Sequence, residues 1–272
     1  MSEFICPICK ALLVTEDKTL KCNAGHSFDI SKYGYVNLFI SQKTGVHGDD
    51  KLMVAARTRF LSKGFYNSLL ENLITAVQKY FTPNGILLDA GCGECWYTAS
   101  IFHKLYTNNP HMTAIGIDIS KEALKTGAKR CKDLQLAVAS IYNIPVKDSS
   151  CDMVLNIFAP NVNNEFCRVL KAKGILIKVV PLEKHLWSLK QAIYDKPYLN
   201  KPDDPYIEGF NLIETIELRE KISLSSNEEV EDLFKMTPYY YKTGKSDQLK
   251  LAEISSLDTE LEFGILVYQK LS

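Results

Sequence analysis

From residue 85 onward, short apolar runs alternate with amphipathic stretches. Residues 86–88, 112–117, 136–139, 151–158 and 174–180 are too short for buried helices and too continuously apolar for strands with one wet face. Runs of this kind are the pattern of parallel strands covered on both sides. Helical spacing fills two of the gaps, over 121–131 and 164–170, so the order strand–helix–strand predicts an α/β architecture. After Pro181 the pattern changes. Residues 183–194 read as a helix, and Pro197, Pro202 and Pro205 mark an irregular loop, so 182–209 stands out as an insertion or lid. Residues 210–224 alternate as a half-exposed strand. Ser226 or Asn227 then caps a helix through Phe234, with Glu228, Glu229 and Glu231 in its favourable first turn. Residues 261–269 close the sheet as an antiparallel edge hairpin. Upstream, 51–80 is helical with a break at Gly64, and the polar, glycine-bearing 41–50 suits a mobile linker.

The sharpest local signal lies at the end of the first strand. Asp89 follows the apolar run, Gly91 and Gly93 make a tight turn, and a helix begins near Glu94. Glycine there lets a ligand approach the backbone, because no Cβ stands in the way. The second strand ends at Asp118, where a dinucleotide-type fold holds ribose hydroxyls.

The first 40 residues form a separate pattern. Cys6 and Cys9 have knuckle spacing, Cys22 follows after twelve intervening residues, and His26 after three more. Three thiolates and an imidazole at these intervals can close a tetrahedron around one structural Zn²⁺. The segment is too small to fold on its own core, so metal binding supplies the missing free energy. With all four positions filled by protein, chemistry at the zinc is not expected.

The chain has 272 residues, enough for a large domain of 81–272, a ribbon of 1–40 and a connecting 41–80. No apolar stretch approaches the ~20 residues of a membrane span, and the first residues lack the basic and apolar regions of a secretion signal. A cytoplasmic location is expected. Eight cysteines at mixed spacings suggest metal ligands and free thiols rather than a disulfide framework. Lysine plus arginine equals aspartate plus glutamate at 32 each, so a nucleic-acid partner would need a local basic surface. Lys51, Arg57, Arg59 and Lys63 form one candidate, read either as a phosphate-facing patch or as a solvated helix face.

Asp89-x-Gly91-x-Gly93 with the acid Asp118 resembles motifs I and II of class I S-adenosylmethionine-dependent methyltransferases. Over nearly the whole chain the sequence also resembles one narrower family, the zinc-ribbon bacterial large-subunit (23S) ribosomal RNA guanine-N1 methyltransferases. The matching positions are Cys6, Cys9, Cys22 and His26, then Gly34-Tyr35-Val36-Asn37-Leu38 and Met53-x-x-Ala56-Arg57-x-x-Phe60-Leu61-x-x-Gly64-x-Tyr66. Asp89 to Glu94, Ala159-Pro160, His185-Leu186 and Met236-Thr237-Pro238 complete the set. The resemblance implies a Rossmann-like, mostly parallel seven-stranded sheet behind a small zinc ribbon. It implies S-adenosylmethionine as cofactor and puts Tyr66, Gly93, Glu94 and His185 on its contacts, with Asp89, Gly91 and Asp118 from the general motifs. The adenine is expected beside Ser140. Two positions depart from the family pattern: Cys95 stands where glycine is usual, and Trp96 where tyrosine is. A Cβ at 95 could crowd the cofactor or pack inward. The Cys92-x-x-Cys95 spacing is read as coincidental, since Cys92 belongs to motif I.

By that resemblance the protein binds 23S rRNA and methylates guanine N1, with the oligomeric state open and a homodimer among the options. N1 lies on the Watson–Crick edge and carries a proton, so the base must be unpaired or flipped and the proton removed. No catalytic base is visible in the sequence. Two rivals remain: a small-molecule methyltransferase, which gives no reason for the ribbon, and a non-catalytic zinc-dependent RNA-binding protein.

Overall fold

The computed structural model describes residues 2–40 and 48–272, so most of the expected 41–50 linker lies outside the described residues. The chain opens with three short antiparallel strands, β1 (Val14–Glu16), β2 (Thr19–Lys21) and β3 (Ser27–Asp29), in that order across a small sheet. The next strand, β4 (Tyr35–Asn37), leaves that sheet. Two helices follow, α1 (Lys51–Ser62) and α2 (Asn67–Tyr80), interrupted at Gly64, whose φ of +83° only glycine adopts readily.

The alternating region begins with β5 (Ile86–Ala90), α3 (Trp96–Tyr106), β6 (Thr113–Asp118), α4 (Lys121–Arg130) and β7 (Gln135–Val138). It continues through β8 (Cys151–Ile157), α5 (Asn163–Val169) and β9 (Leu170–Pro181). The last part holds α6 (Trp187–Ile193), β10 (Phe210–Leu224), α7 (Asn227–Lys235), α8 (Tyr239–Lys242), α9 (Lys245–Leu251) and β11 (Leu257–Lys270). Helices α8 and α9 fall in a stretch to which the sequence pattern assigned no element.

The strands form one sheet in the order β10-β11-β9-β8-β5-β6-β7-β4. Pairing is parallel from β9 to β4 and antiparallel where β11 meets β9 and β10. The expected seven strands are all present, and the correction is an eighth. Tyr35, Val36 and Asn37 pair with Leu136, Ala137 and Val138, so a strand from the ribbon region caps the open edge at β7. Phe4, Cys6, Leu13, Leu20 and Cys22 sit in the same apolar cluster as Leu88, Ile115, Ala137 and Val154. The ribbon shares its core with the larger sheet.

The expected helix over 183–194 is a second correction, since only Trp187–Ile193 is helical. Strand β11 captures the preceding backbone instead. Leu182 and Leu186 N–H donate to the carbonyls of Glu262 and Glu260, and Lys184 and Ser188 N–H donate to the carboxylates of the same two residues. Leu186 is thereby held at φ +57°.

Candidate cofactor and base site

A cavity of about 560 Å³ opens at the carboxyl ends of β5, β6, β7 and β8, where β5 and β6 carry Asp89 and Asp118. Gly91 (φ +93°) brings the backbone against the loop after β8, and a Cβ there would stand 2.6 Å from the Cβ of Ala159. Gly93 (φ +52°) leaves room for Arg57, whose guanidinium would lie 3.0 Å from an added Cβ. Asp118 is clamped, its two oxygens accepting the Gly93 and Ser120 N–H groups at 2.9 and 2.8 Å.

The floor is acidic. Asp89 is 1% exposed and accepts the Thr98 hydroxyl at 2.5 Å through one oxygen, leaving Oδ1 without a partner. Burial pushes its carboxyl up to about 7; the Thr98 hydroxyl pulls the other way, and the charge of Asp118 adds to the rise. Burial likewise raises Asp118, opposed by its backbone donors at Ser120 and Gly93. Glu94, 2% exposed, accepts from Arg57 Nε at 2.6 Å and keeps Oε1 unpaired. Arg57 also donates to Asp49 at 2.6 Å, while its Nη2 finds no acceptor among the described residues. Burial works against the Arg57 charge, but Glu94 and Asp49 outweigh that and hold it protonated.

Buried polar groups are ordinarily hydrogen-bonded, and these unpaired atoms at one cavity can be satisfied by a ligand of matching chemistry. Two unpaired carboxylate oxygens suit a cationic donor, and an unpaired guanidinium nitrogen suits a carboxylate. S-adenosylmethionine carries both, together with ribose hydroxyls for Asp118 and a positive sulfonium that an acidic floor favours. These residues fit the group.

Of the eight predicted cofactor residues, Asp89, Gly91, Gly93, Glu94, Asp118 and Ser140 line this cavity. Tyr66 and His185 are not among its lining residues. Both are buried and pack on Phe263, at ring-centroid distances of 5.0 and 4.6 Å, and Phe263 in turn meets Phe158 in the cavity wall at 5.5 Å. They stand one layer behind the wall. Cys95 is fully buried with its Sγ toward Gly127, so its side chain packs inward and leaves the cavity clear. Its Sγ is 3.7 Å from that of Cys92, and both are free thiols.

Sequence reasoning missed several lining residues: Asp49, Met53, Tyr142, Phe158 and Tyr241. For Arg57, Arg59 and Lys63 it left two readings, a phosphate-facing patch or a solvated helix face, and the structure gives all three partners within the chain. Arg57 belongs to the cavity, Arg59 is bidentate to Asp232 at 2.9 and 2.5 Å, and Lys63 pairs with Glu229 at 3.0 Å. These cations are engaged by acids within the chain. The one available signal was that Arg57 stands beside Ala56 in a motif whose other members, Met53, Phe60 and Leu61, are apolar. The mouth carries three exposed rings, with Tyr142 at 67%, Phe158 at 45% and Tyr241 at 57% exposure. Phe158 has φ +55°, a strained value for a bulky residue, directly before Ala159-Pro160.

In the ribbon, the four donor atoms of Cys6, Cys9, Cys22 and His26 lie within 4.8 Å of one another. Cys9 Sγ is 3.6 Å from Cys22 Sγ, and His26 Nδ1 is 3.5 and 3.4 Å from the Sγ atoms of Cys6 and Cys22. With Zn–S near 2.3 Å, the edge of a tetrahedron is about 3.8 Å, so this donor set fits one structural zinc. Burial pushes the Cys22 thiol up, but hydrogen bonds led by the His26 backbone outweigh it and bring it down to about 6, which favours the ligating thiolate. No other group of three or more such ligands occurs among the described residues. The ribbon reaches the cavity rim: Ile5 N–H donates to Pro145 O, and Lys10 to Asn143 beside Tyr142.

Sheet order, glycine turn and strand-end acids define a methyltransferase domain, and residues 81–235 match a family described as a methyltransferase domain. Solved structures agree on the fold: a chain from the complex of the Haloferax volcanii Trm112 methyltransferase activator with a methyltransferase (13% identity, TM-score 0.51, 83% of this chain and all of that one), and YcgJ of Bacillus subtilis (13%, 0.50, 75% and 98%). Residues 4–44 match the zinc-ribbon family described as "RlmA, N-terminal". Bacillus subtilis YxjB, a protein named for 23S rRNA (guanine-N(1)-)-methyltransferase activity, is 31% identical over 99% of this chain and 98% of its own length. The 23S rRNA (guanine(748)-N(1))-methyltransferase of Streptomyces fradiae is 32% identical over 69% of this chain and 66% of that protein. The chain belongs to the zinc-ribbon 23S rRNA guanine-N1 methyltransferase family. S-adenosylmethionine and one structural zinc are its cofactors.

Proposed function

We propose that the protein moves the methyl group of S-adenosylmethionine to N1 of an unpaired guanine in 23S rRNA, in the cytoplasm where ribosomes are assembled. The observation that carries this reading is the cavity itself. Its acidic floor has orphaned polar atoms that match a zwitterionic, cationic cofactor, and its mouth holds rings on which a splayed base can stack. When bound, the cofactor supplies an electrophilic methyl group on a positive sulfur. The chain's residues then do the positioning. Asp89, Glu94 and Arg57 orient the amino-acid end, Asp118 the ribose, and Ser140 the adenine edge. Tyr66 and His185 act from behind, by fixing Phe263 and through it Phe158.

Transfer is an in-line displacement in which the N1–C bond forms as the C–S bond breaks and sulfur keeps the electron pair. Alignment and exclusion of water are therefore the main demands on the protein. The N1 proton must leave. Asp49, at the cavity wall and paired to Arg57, is a carboxylate that can take it directly or through water.

The test is transfer of labelled methyl from S-adenosylmethionine to 23S rRNA lacking the modification, followed by nucleoside analysis. Label in 1-methylguanosine, with a new stop to reverse transcription at one guanine, is expected. Label in small acceptors with none in rRNA would overturn the reading. Asp49→Asn is expected to lower the methylation rate by more than it weakens cofactor binding through Arg57, read as kcat beside the Kd for S-adenosylmethionine.

A further inference from the structure

Three of the four cations first expected to meet RNA, Arg57, Arg59 and Lys63, are paired with acids, yet another face of the molecule carries a cluster of lysines with a single acid beside it. Helix α4 starts at the cavity. Its cap Ser120 follows the lining residues Asp118 and Ile119, and its hydroxyl donates to Asp49 O. Lys121, Lys125 and Lys129 recur at intervals of four along it, about 6 Å apart along the axis, on one face leading away from the mouth. At the far end that face meets the ribbon. The ring of Tyr33 lies 5.3 Å from Lys32 Nζ, 5.3 Å from Lys125 Nζ and 5.8 Å from Lys129 Nζ.

Three ammonium groups around one partly buried ring repel one another, and a cation–π contact offsets only part of that cost. Lys125 has one distant acid, Glu122 at 3.8 Å; among the described residues Lys32, Lys121 and Lys129 have none. In a chain of zero formal net charge, such a concentration is a local field that favours an anion. The track is linear, runs from the mouth to the ribbon, and ends on an aromatic ring, which matches a strand of phosphodiesters.

We infer that the RNA backbone flanking the target guanine lies along this face, with phosphates at Lys121, Lys125, Lys129 and Lys32 and the ribbon serving to place Tyr33 and Lys32. This rests on the rRNA reading above and names the surface that serves it. It also explains why β4 joins the main sheet. Pairing β4 to β7 fixes the turn that bears Lys32 and Tyr33 against α4, so the two sources of positive charge form one surface.

The test compares the full-length zinc-loaded protein with Lys32→Gln/Lys125→Gln/Lys129→Gln. Each phosphate contact to a single strand contributes about 0.7 to the slope of log affinity against log salt, so the triple variant should lose about 2 from that slope. Its KM for rRNA should rise while kcat and the Kd for S-adenosylmethionine stay at wild-type values. Lys129→Gln alone should show about a third of the change in slope, which keeps the test valid if the triple variant folds poorly. A variant with wild-type KM and slope, alongside a wild type that methylates rRNA, overturns the track and leaves the rRNA reading standing. A wild type that binds S-adenosylmethionine but neither binds nor methylates rRNA overturns both. Salt dependence lost equally toward an acidic polypeptide, with rRNA methylation unaffected, assigns the face to a protein partner and overturns the inference.

Discussion

His185, which the family resemblance puts on the cofactor, packs one layer behind the cavity wall. It is 7% exposed, its Nδ1 accepts the Glu262 N–H at 3.3 Å, and its ring rests on Phe263. Burial, helped by the nearby positive Lys190, lowers its pKa to about 3. The unfolded chain therefore binds a proton below about 6.5 that the folded chain refuses until about 3. The stability it contributes is present above pH 6.5 and is lost as pH falls from there toward 3. A His185→Gln variant, which cannot charge, should show a flatter dependence of the urea midpoint on pH across that window. Equal slopes in the two proteins would mean that other groups control acid unfolding. Cys95 gives a second case. Its Sγ lies 2.5 Å from where a Cβ on Gly127 would stand, so Gly127→Ala should cost about 1–3 kcal/mol by overpacking. Cys95→Ala in the same chain should recover part of that loss, and a double-mutant cycle in urea measures the coupling.

Among the elements, β4 has the widest consequences. A three-residue strand contributes little by itself, but it covers the β7 edge and anchors a ribbon whose apolar residues share the core of the sheet. Stripping the zinc removes the tie between Cys6, Cys9, Cys22 and His26, and the ribbon's sheet has too few apolar residues to persist alone. Cys22→Ala or chelation should therefore lower the thermal midpoint of the whole chain rather than melt residues 1–40 alone. Calorimetry with zinc analysis checks this, and a zinc-free protein with an unchanged main transition would refute it. Helix α6 shows the opposite relation, because its sequence offers a longer helix and the acids of β11 take the first turn away.

Across the whole molecule, the cavity draws on parts far apart in sequence. Asp49 and Arg57 lie between β4 and β5, Asp89 is on β5 with Gly91 to Glu94 in the turn after it, Asp118 ends β6, and Tyr241 arrives from α8 to hydrogen-bond Asp50. A ligand that bridges such parts should stabilise all of them, by about 2.7 kcal/mol at a hundred times its Kd. S-adenosylmethionine is accordingly expected to raise the unfolding midpoint. Asp118→Ala should weaken its binding by about 1–3 kcal/mol, the cost of leaving hydrogen-bonding groups unpaired, as read by titration calorimetry. Unchanged affinity in that variant would place the ribose elsewhere.

The alternating strands, the metal ligands and the glycine turn were legible in the sequence because each depends on local spacing: apolar runs, knuckle intervals, and a backbone that must lack a Cβ. The family resemblance added the cofactor and the acceptor. Tertiary structure decided what depends on partners distant in the chain. It set Arg57 against the buried Glu94, matched Arg59 to Asp232 and Lys63 to Glu229, and so gave each of these cations an acid within the chain. It moved Tyr66 and His185 behind the cavity wall through a shared contact with Phe263, a residue on the last strand. It also left Lys32 and Lys129 beside Tyr33 with no acid partner among the described residues. A charge's role depends on which opposite charge folding brings within about 4 Å, and the spacing of residues along the chain carries no record of that distance.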